Sequence, residues 1–92
     1  MRISNQKKEK ILEQILAVLY SSSPKPLFTI NVAKEIARDE EFVKYLLLSL
    51  KKRGLVIEIK KNPVGQVYLK RSRWILSDLA YQSYKKHQEN NI

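Results

Sequence analysis

The chain contains no cysteine and a single histidine, His87. The first absence excludes disulfides and thiolate metal sites. With one histidine left, a zinc site of histidine or thiolate ligands lacks its ligand set. Glycine occurs twice, at Gly54 and Gly65, so no glycine-rich phosphate loop is present. The longest apolar run, Ile15 to Tyr20, is far short of the ~20 residues a membrane span requires. Residues 1–10 are mostly polar and basic, without the apolar stretch of a signal peptide. These absences lead us to expect no membrane partner and an intracellular, cytoplasmic location. Acids are also scarce, nine against eighteen lysines and arginines. Asp39, Glu40 and Glu41 cluster, but no nucleophile or base constellation accompanies them. An enzyme reading therefore has little support, and no cofactor is expected.

Ninety-two residues suffice for one domain and not two, because domains commonly hold about 100–150. We read 1–92 as a single domain with polar tails at about 1–5 and 88–92. The apolar content of 43% is near the globular norm. The net charge of +9 is concentrated. Lys51, Lys52, Arg53, Lys60, Lys61, Lys70, Arg71 and Arg73 lie within one quarter of the chain, against one acid there, Glu58. Such a cluster attracts a polyanion, either nucleic acid or an acidic membrane surface. Charge alone is equally compatible with a solvated basic face.

Apolar residues at helical spacing, Ile11, Leu12, Ile15, Leu16 and Leu19, predict a first helix over 6–20. Three serines and two prolines, Ser21 to Pro26, end it. Leu27-Phe28 is long enough for one β-bridge. Thr29 is the expected N-cap of a short second helix with Val32, Ala33, Ile36 and Ala37 on one face. Asp39 is the expected N-cap of a third, with Glu40 and Glu41 in the first turn, where the helix dipole favours acids. Its apolar stripe is Phe42, Val43, Leu46, Leu47 and Leu50; Lys51, Lys52 and Arg53 close it, and Gly54 suits the left-handed position beyond. The period then changes to two. Leu55, Ile57 and Ile59 alternate with Val56, Glu58 and Lys60. Asn62-Pro63-Val64-Gly65 predicts a turn, and Val67, Leu69, Trp74 and Leu76 the return strand. Ser77 is placed to cap a fourth helix bearing Leu79, Ala80, Tyr81 and Tyr84.

Three stretches in this order resemble the winged helix-turn-helix superfamily of small prokaryotic, archaeal or viral transcriptional regulators. They are Val32-Ala33-Lys34-Glu35-Ile36-Ala37 with Val43, Leu47 and Leu50; Leu50-Lys51-Lys52-Arg53-Gly54-Leu55-Val56; and Trp74-Ile75-Leu76-Ser77-Asp78-Leu79-Ala80. The resemblance covers about residues 10–86 and is specific for the fold rather than for a subfamily. It implies an α+β, mostly helical winged helix-turn-helix: a three-helix core, a β-hairpin wing and a C-terminal helix. It further implies a regulator that binds double-stranded DNA, with a recognition helix at about 39–53 in the major groove and a basic wing at about 55–74 on the backbone. A nucleoid-associated or viral protein within a prokaryotic cell fits that reading. The alternative is a winged-helix protein-interaction or RNA-binding module of a larger assembly.

The face of the third helix opposite its apolar stripe presents Glu41, Lys44, Tyr45, Leu48 and Lys52. We expect Lys44, Tyr45 and Lys52 to contact DNA, Tyr45 having a core role as the alternative. Leu48 meets a thymine methyl, a partner protein or nothing. On the wing, Lys60, Lys61, Lys70, Arg71 and Arg73 are the expected phosphate ligands, with Arg71 and Arg73 on one side. Glu40 and Glu41 depart from the family pattern: carboxylates repel phosphates, although a glutamate can accept from a cytosine amino group. Trp74, at the base of the wing, is expected in the core or an interface. Tyr81 and Tyr84 share one face of the fourth helix and either pad the domain or form a homodimer interface with the first helix of another copy. A dimer would read a palindrome with half-sites one turn apart.

Overall fold

A computed structural model describes residues 4–60 and 71–90. Seven elements follow one another: α1 (Asn5–Ser22), β1 (Leu27–Phe28), α2 (Thr29–Ile36), α3 (Glu40–Lys52), β2 (Val56–Ile59), β3 (Arg73–Leu76) and α4 (Asp78–Asn90). This is the expected α+β, mostly helical arrangement. The expected turn at 62–65, the strand residues Val67 and Leu69, and the site residues Lys61 and Lys70 lie outside the described residues.

α1 begins where the Ser4 hydroxyl accepts from the amide of Lys7, at 3.2 Å. It buries Ile11, Leu12, Ile15 and Leu19, one helical stripe. Asp39 caps α3, its carboxylate accepting from the amide of Phe42 at 3.1 Å. α3 buries Val43, Leu46, Leu47 and Leu50. Gly54, at φ +75°, supplies the left-handed residue that ends α3. The amide of Leu55 then returns to the carbonyl of Leu50 at 3.0 Å, closing the helix end. Ser77 caps α4 through the amide of Ala80, at 3.2 Å.

Two local expectations are corrected. Thr29 does not cap α2: Phe28 holds the N-cap position, without a side-chain hydrogen bond, and Thr29 is the first helical residue. The chain passes from β1 into α2 with no intervening residue, which buries the Thr29 hydroxyl. There it accepts from the indole Nε1–H of Trp74 at 2.8 Å, a buried bond. Ala37 does not belong to the apolar face of α2 either. It is exposed and left-handed, at φ 55°, while the amide of Arg38 bonds back to the carbonyl of Ala33 at 3.0 Å. This is the turn between α2 and α3, built at a conformation that costs a non-glycine residue roughly 1–2 kcal/mol.

β3 is the central strand of an antiparallel sheet ordered β1-β3-β2. Its register pairs Leu27 with Trp74 on one side and Val56 with Leu76 on the other. Trp74 is fully buried, as its position in the sequence predicts. It joins the α1, α2 and α3 stripes with Val56, Leu76 and Ala80 in one core. The sheet, and so the base of the wing, is thereby fixed to the helical body.

Candidate nucleic-acid interface

α3 is held at its back and open at its front. Its buried stripe leaves Glu41, Lys44, Tyr45, Leu48 and Lys52 exposed, within about 100° of arc at 3.6 residues per turn. Tyr45 is 59% exposed and Leu48 39%, so Tyr45 is outside the core. Together with Ser49, Lys51 and Lys52 they line an open groove of about 610 Å³.

The first turns of α1 flank this face. The ammonium of Lys8 lies 5.4 Å from the centroid of the Tyr45 ring, a cation–π distance. The carboxylate of Glu9 and the guanidinium of Arg53 are 3.5 Å apart. Lys8 was not among the residues expected at the site. Its signal in the sequence is the basic run Lys7-Lys8-Glu9-Lys10, but no local pattern states that α1 begins beside the outer face of α3.

On the other flank, Arg71 is exposed, with its guanidinium carbon 5.8 Å from the Phe28 ring centroid. Arg71, Lys44 and Glu40 share a second depression with Phe28, Thr29 and Ser72. The structure thus brings Lys44 of α3 and Arg71 of the wing exit together. Lys60 is exposed immediately after β2, whereas Arg73 is half-buried in β3. Arg71 therefore presents its charge outward more fully than Arg73 does.

One acid ties the wing base to α3. Glu58 on β2 has a side chain only 5% exposed and accepts from the Lys51 ammonium at 2.8 Å. Its second oxygen accepts from the hydroxyl of Ser72 at 2.5 Å. Burial raises the pKa of this carboxyl. The hydrogen bonds from Lys51 and Ser72, with the positive charges of Lys51 and Lys60, more than offset that and hold it below its ordinary value. Part of the basic cluster, Lys51, is thus engaged in structure.

At the opposite side of the body, Tyr81 and Tyr84 of α4 pack on Tyr20 of α1, with ring centroids 5.2 and 4.5 Å apart. They pad the domain. Leu79 is instead left 74% exposed, beside an apolar groove of about 330 Å³ walled by Leu16, Leu55, Leu76, Ala80 and Tyr84.

No protein-family model matches the chain, and no curated protein matches it in sequence. Solved structures do match. A protein from Ralstonia eutropha JMP134 superposes with a TM-score of 0.67 at 15% identity, over 84% of this chain and 93% of that one. S. aureus MepR in its DNA-binding conformation gives 0.69 at 19% identity, over 92% of this chain and 63% of that one. The S. aureus MepR–DNA complex gives 0.67 at 20% identity, over 91% and 72%. The chain thus spans nearly all of the first neighbour and about three-fifths of the second. At this level of identity the likeness establishes the fold, a winged helix-turn-helix.

Proposed function

We propose that the chain is a transcriptional regulator that binds double-stranded DNA, with α3 in the major groove and the wing on the backbone. The observation that carries this reading is the outward stripe of α3, Glu41 to Lys52, flanked on one side by Lys8 and on the other by Arg71. A helix about 10–12 Å across with its side chains fits a groove about 12 Å wide. Cations on both flanks then face the two phosphate strands that border that groove. That a neighbour of the same fold is solved with DNA bound supports the same reading.

In this pose Tyr45 enters the groove, Lys44 and Lys52 beside it reach the phosphates at its margins, and Lys60 and Arg71 reach the backbone alongside. Lys61, Lys70 and Arg73 complete the proposed set. Each phosphate contact releases counterions and contributes affinity without sequence choice. Glu40 and Glu41 sit at the positive end of the α3 dipole, which stabilises them there, and the cations on the flanks rather than this end of α3 attract phosphate.

The second part of the proposal is a homodimer through α1 and α4. It rests on Leu79 and the Leu16–Leu55 groove beside it, since Tyr81 and Tyr84 are satisfied within the chain. The deciding experiment is duplex binding by fluorescence anisotropy as a function of salt. Steep weakening with salt, reduced in slope by Lys44→Ala and Arg71→Ala, supports the reading. Binding that those changes leave untouched overturns it.

A further inference from the structure

The composition of α3 restricts what its outward face can recognise. Bidentate base contacts are made by arginine or lysine on guanine and by asparagine or glutamine on adenine. α3, Glu40 to Lys52, contains no arginine, asparagine or glutamine, and of its three lysines Lys51 is bound to Glu58 while Lys44 and Lys52 are assigned to phosphates above. The next arginine, Arg53, is oriented toward Glu9, and Ser49 is half-buried. What stands at the middle of the exposed stripe is apolar: the Tyr45 ring and Leu48, one turn apart, beside an open groove. Lys8, Lys44 and Lys52 flank them, with Glu41 one turn before Tyr45, while the Lys51 ammonium is taken up by Glu58.

An apolar spot flanked by cations on both sides fits a surface that is anionic at its edges and apolar at its centre. A major groove lined with thymine has this character, because thymine alone among the four bases places a methyl group there. A protein partner would have to supply acidic residues on both sides of its own apolar spot to match the same cations.

Building on the duplex-DNA reading above, we infer that Tyr45 and Leu48 select DNA by thymine methyl groups under the middle of α3. Leu48 covers a methyl directly. Tyr45, steadied by Lys8, walls the same contact. Lys44 and Lys52 on either side hold the backbone and set the depth of the helix. The preferred sites are therefore rich in thymine at the central steps, and the preference is one of shape and desolvation rather than of hydrogen bonding.

The test removes the methyl and nothing else. An alternating dA–dT duplex about three helical turns long is compared with the same duplex carrying deoxyuridine in place of thymidine, using the full chain. Burying one methyl is worth about 0.8 kcal/mol, so the thymine duplex should bind about fourfold tighter per contacted methyl. Leu48→Gln and Tyr45→Gln should each narrow that ratio, while thermal melting verifies that both variants fold. Equal affinity of the unaltered chain for the two duplexes overturns the inference. So does a thymine preference that both variants retain in full. Failure to bind either duplex, or binding that salt leaves unchanged, overturns the duplex-DNA reading itself, and the salt titration distinguishes this from the other outcomes.

Discussion

Leu48 on α3 and Leu79 on α4 are both exposed, at 39% and 74%, yet their surroundings differ in kind. Leu48 sits beside Tyr45, with Lys8 near the Tyr45 ring and Lys51 and Lys52 along the groove they share. Leu79 borders a groove of leucine, alanine and tyrosine, in which His87 is the one residue of the lining with a titratable basic group. Apolar area of itself does not choose a partner. The charge around it does: a cationic rim favours a polyanion, whereas a neutral rim tolerates a second protein chain, including a copy of this one. The molecule thus separates its two proposed associations onto two faces with different ionic character.

Salt should separate those faces by the largest margin. Raising it from about 50 to 200 mM should weaken duplex binding by roughly a thousandfold if about six phosphates are engaged. Self-association, followed by sedimentation over the same range, should move far less. If both fall together, the contrast between the two faces is wrong. Next in size is Leu79→Asp, which places a charge in each copy of an apolar contact. It should weaken the dimer by roughly a hundredfold or more, from about 1.5–3 kcal/mol per buried leucine, while leaving the melting temperature unchanged at concentrations low enough for the parent to be monomeric. A dimer that survives it is built elsewhere.

Smaller again are Lys8→Ala, Lys44→Ala and Lys52→Ala. Each should reduce duplex affinity by several-fold and the logarithmic salt slope by about one, leaving sedimentation unchanged. The smallest effect is that of Glu58→Gln, which tests whether the tie from the wing base to α3 is stabilising. The folded pKa of Glu58 is depressed, so its contribution is present above the ordinary glutamate pKa of about 4.3 and is lost as pH falls through the lowered value. The variant should be less stable than the parent by about 1 kcal/mol at neutral pH, with the difference in melting temperature closing as the solution is acidified. A constant difference across pH would mean that charge is not the cause.

Much of this architecture was legible because it is local. Asp39, Ser77 and Gly54 act through bonds to residues one turn away, and the stripes of α1 and α3 follow from helical period. The neighbours of Trp74 in sequence pointed to the core or an interface, and it lies in the core. Legibility ended where the outcome depended on a residue distant along the chain. Thr29 looked like a cap, but an indole 45 positions away occupies its hydroxyl. Tyr81 and Tyr84 showed a shared face; that Tyr20 covers it required the crossing of α1 and α4. Lys8 joined the site only because α1 starts beside α3. The left-handed Ala37 ran against its own propensity, the turn between two packed helices overriding it.

The bond between Trp74 and Thr29 has a practical consequence. Trp74 is the one tryptophan of the chain, sealed from solvent at the junction of β3 and α2. Its emission should stay blue and constant while a ligand occupies the outer face of α3, and should redden only when the junction opens to water. Titrated with DNA and then heated, the same fluorophore distinguishes a molecule that is occupied from one that is coming apart.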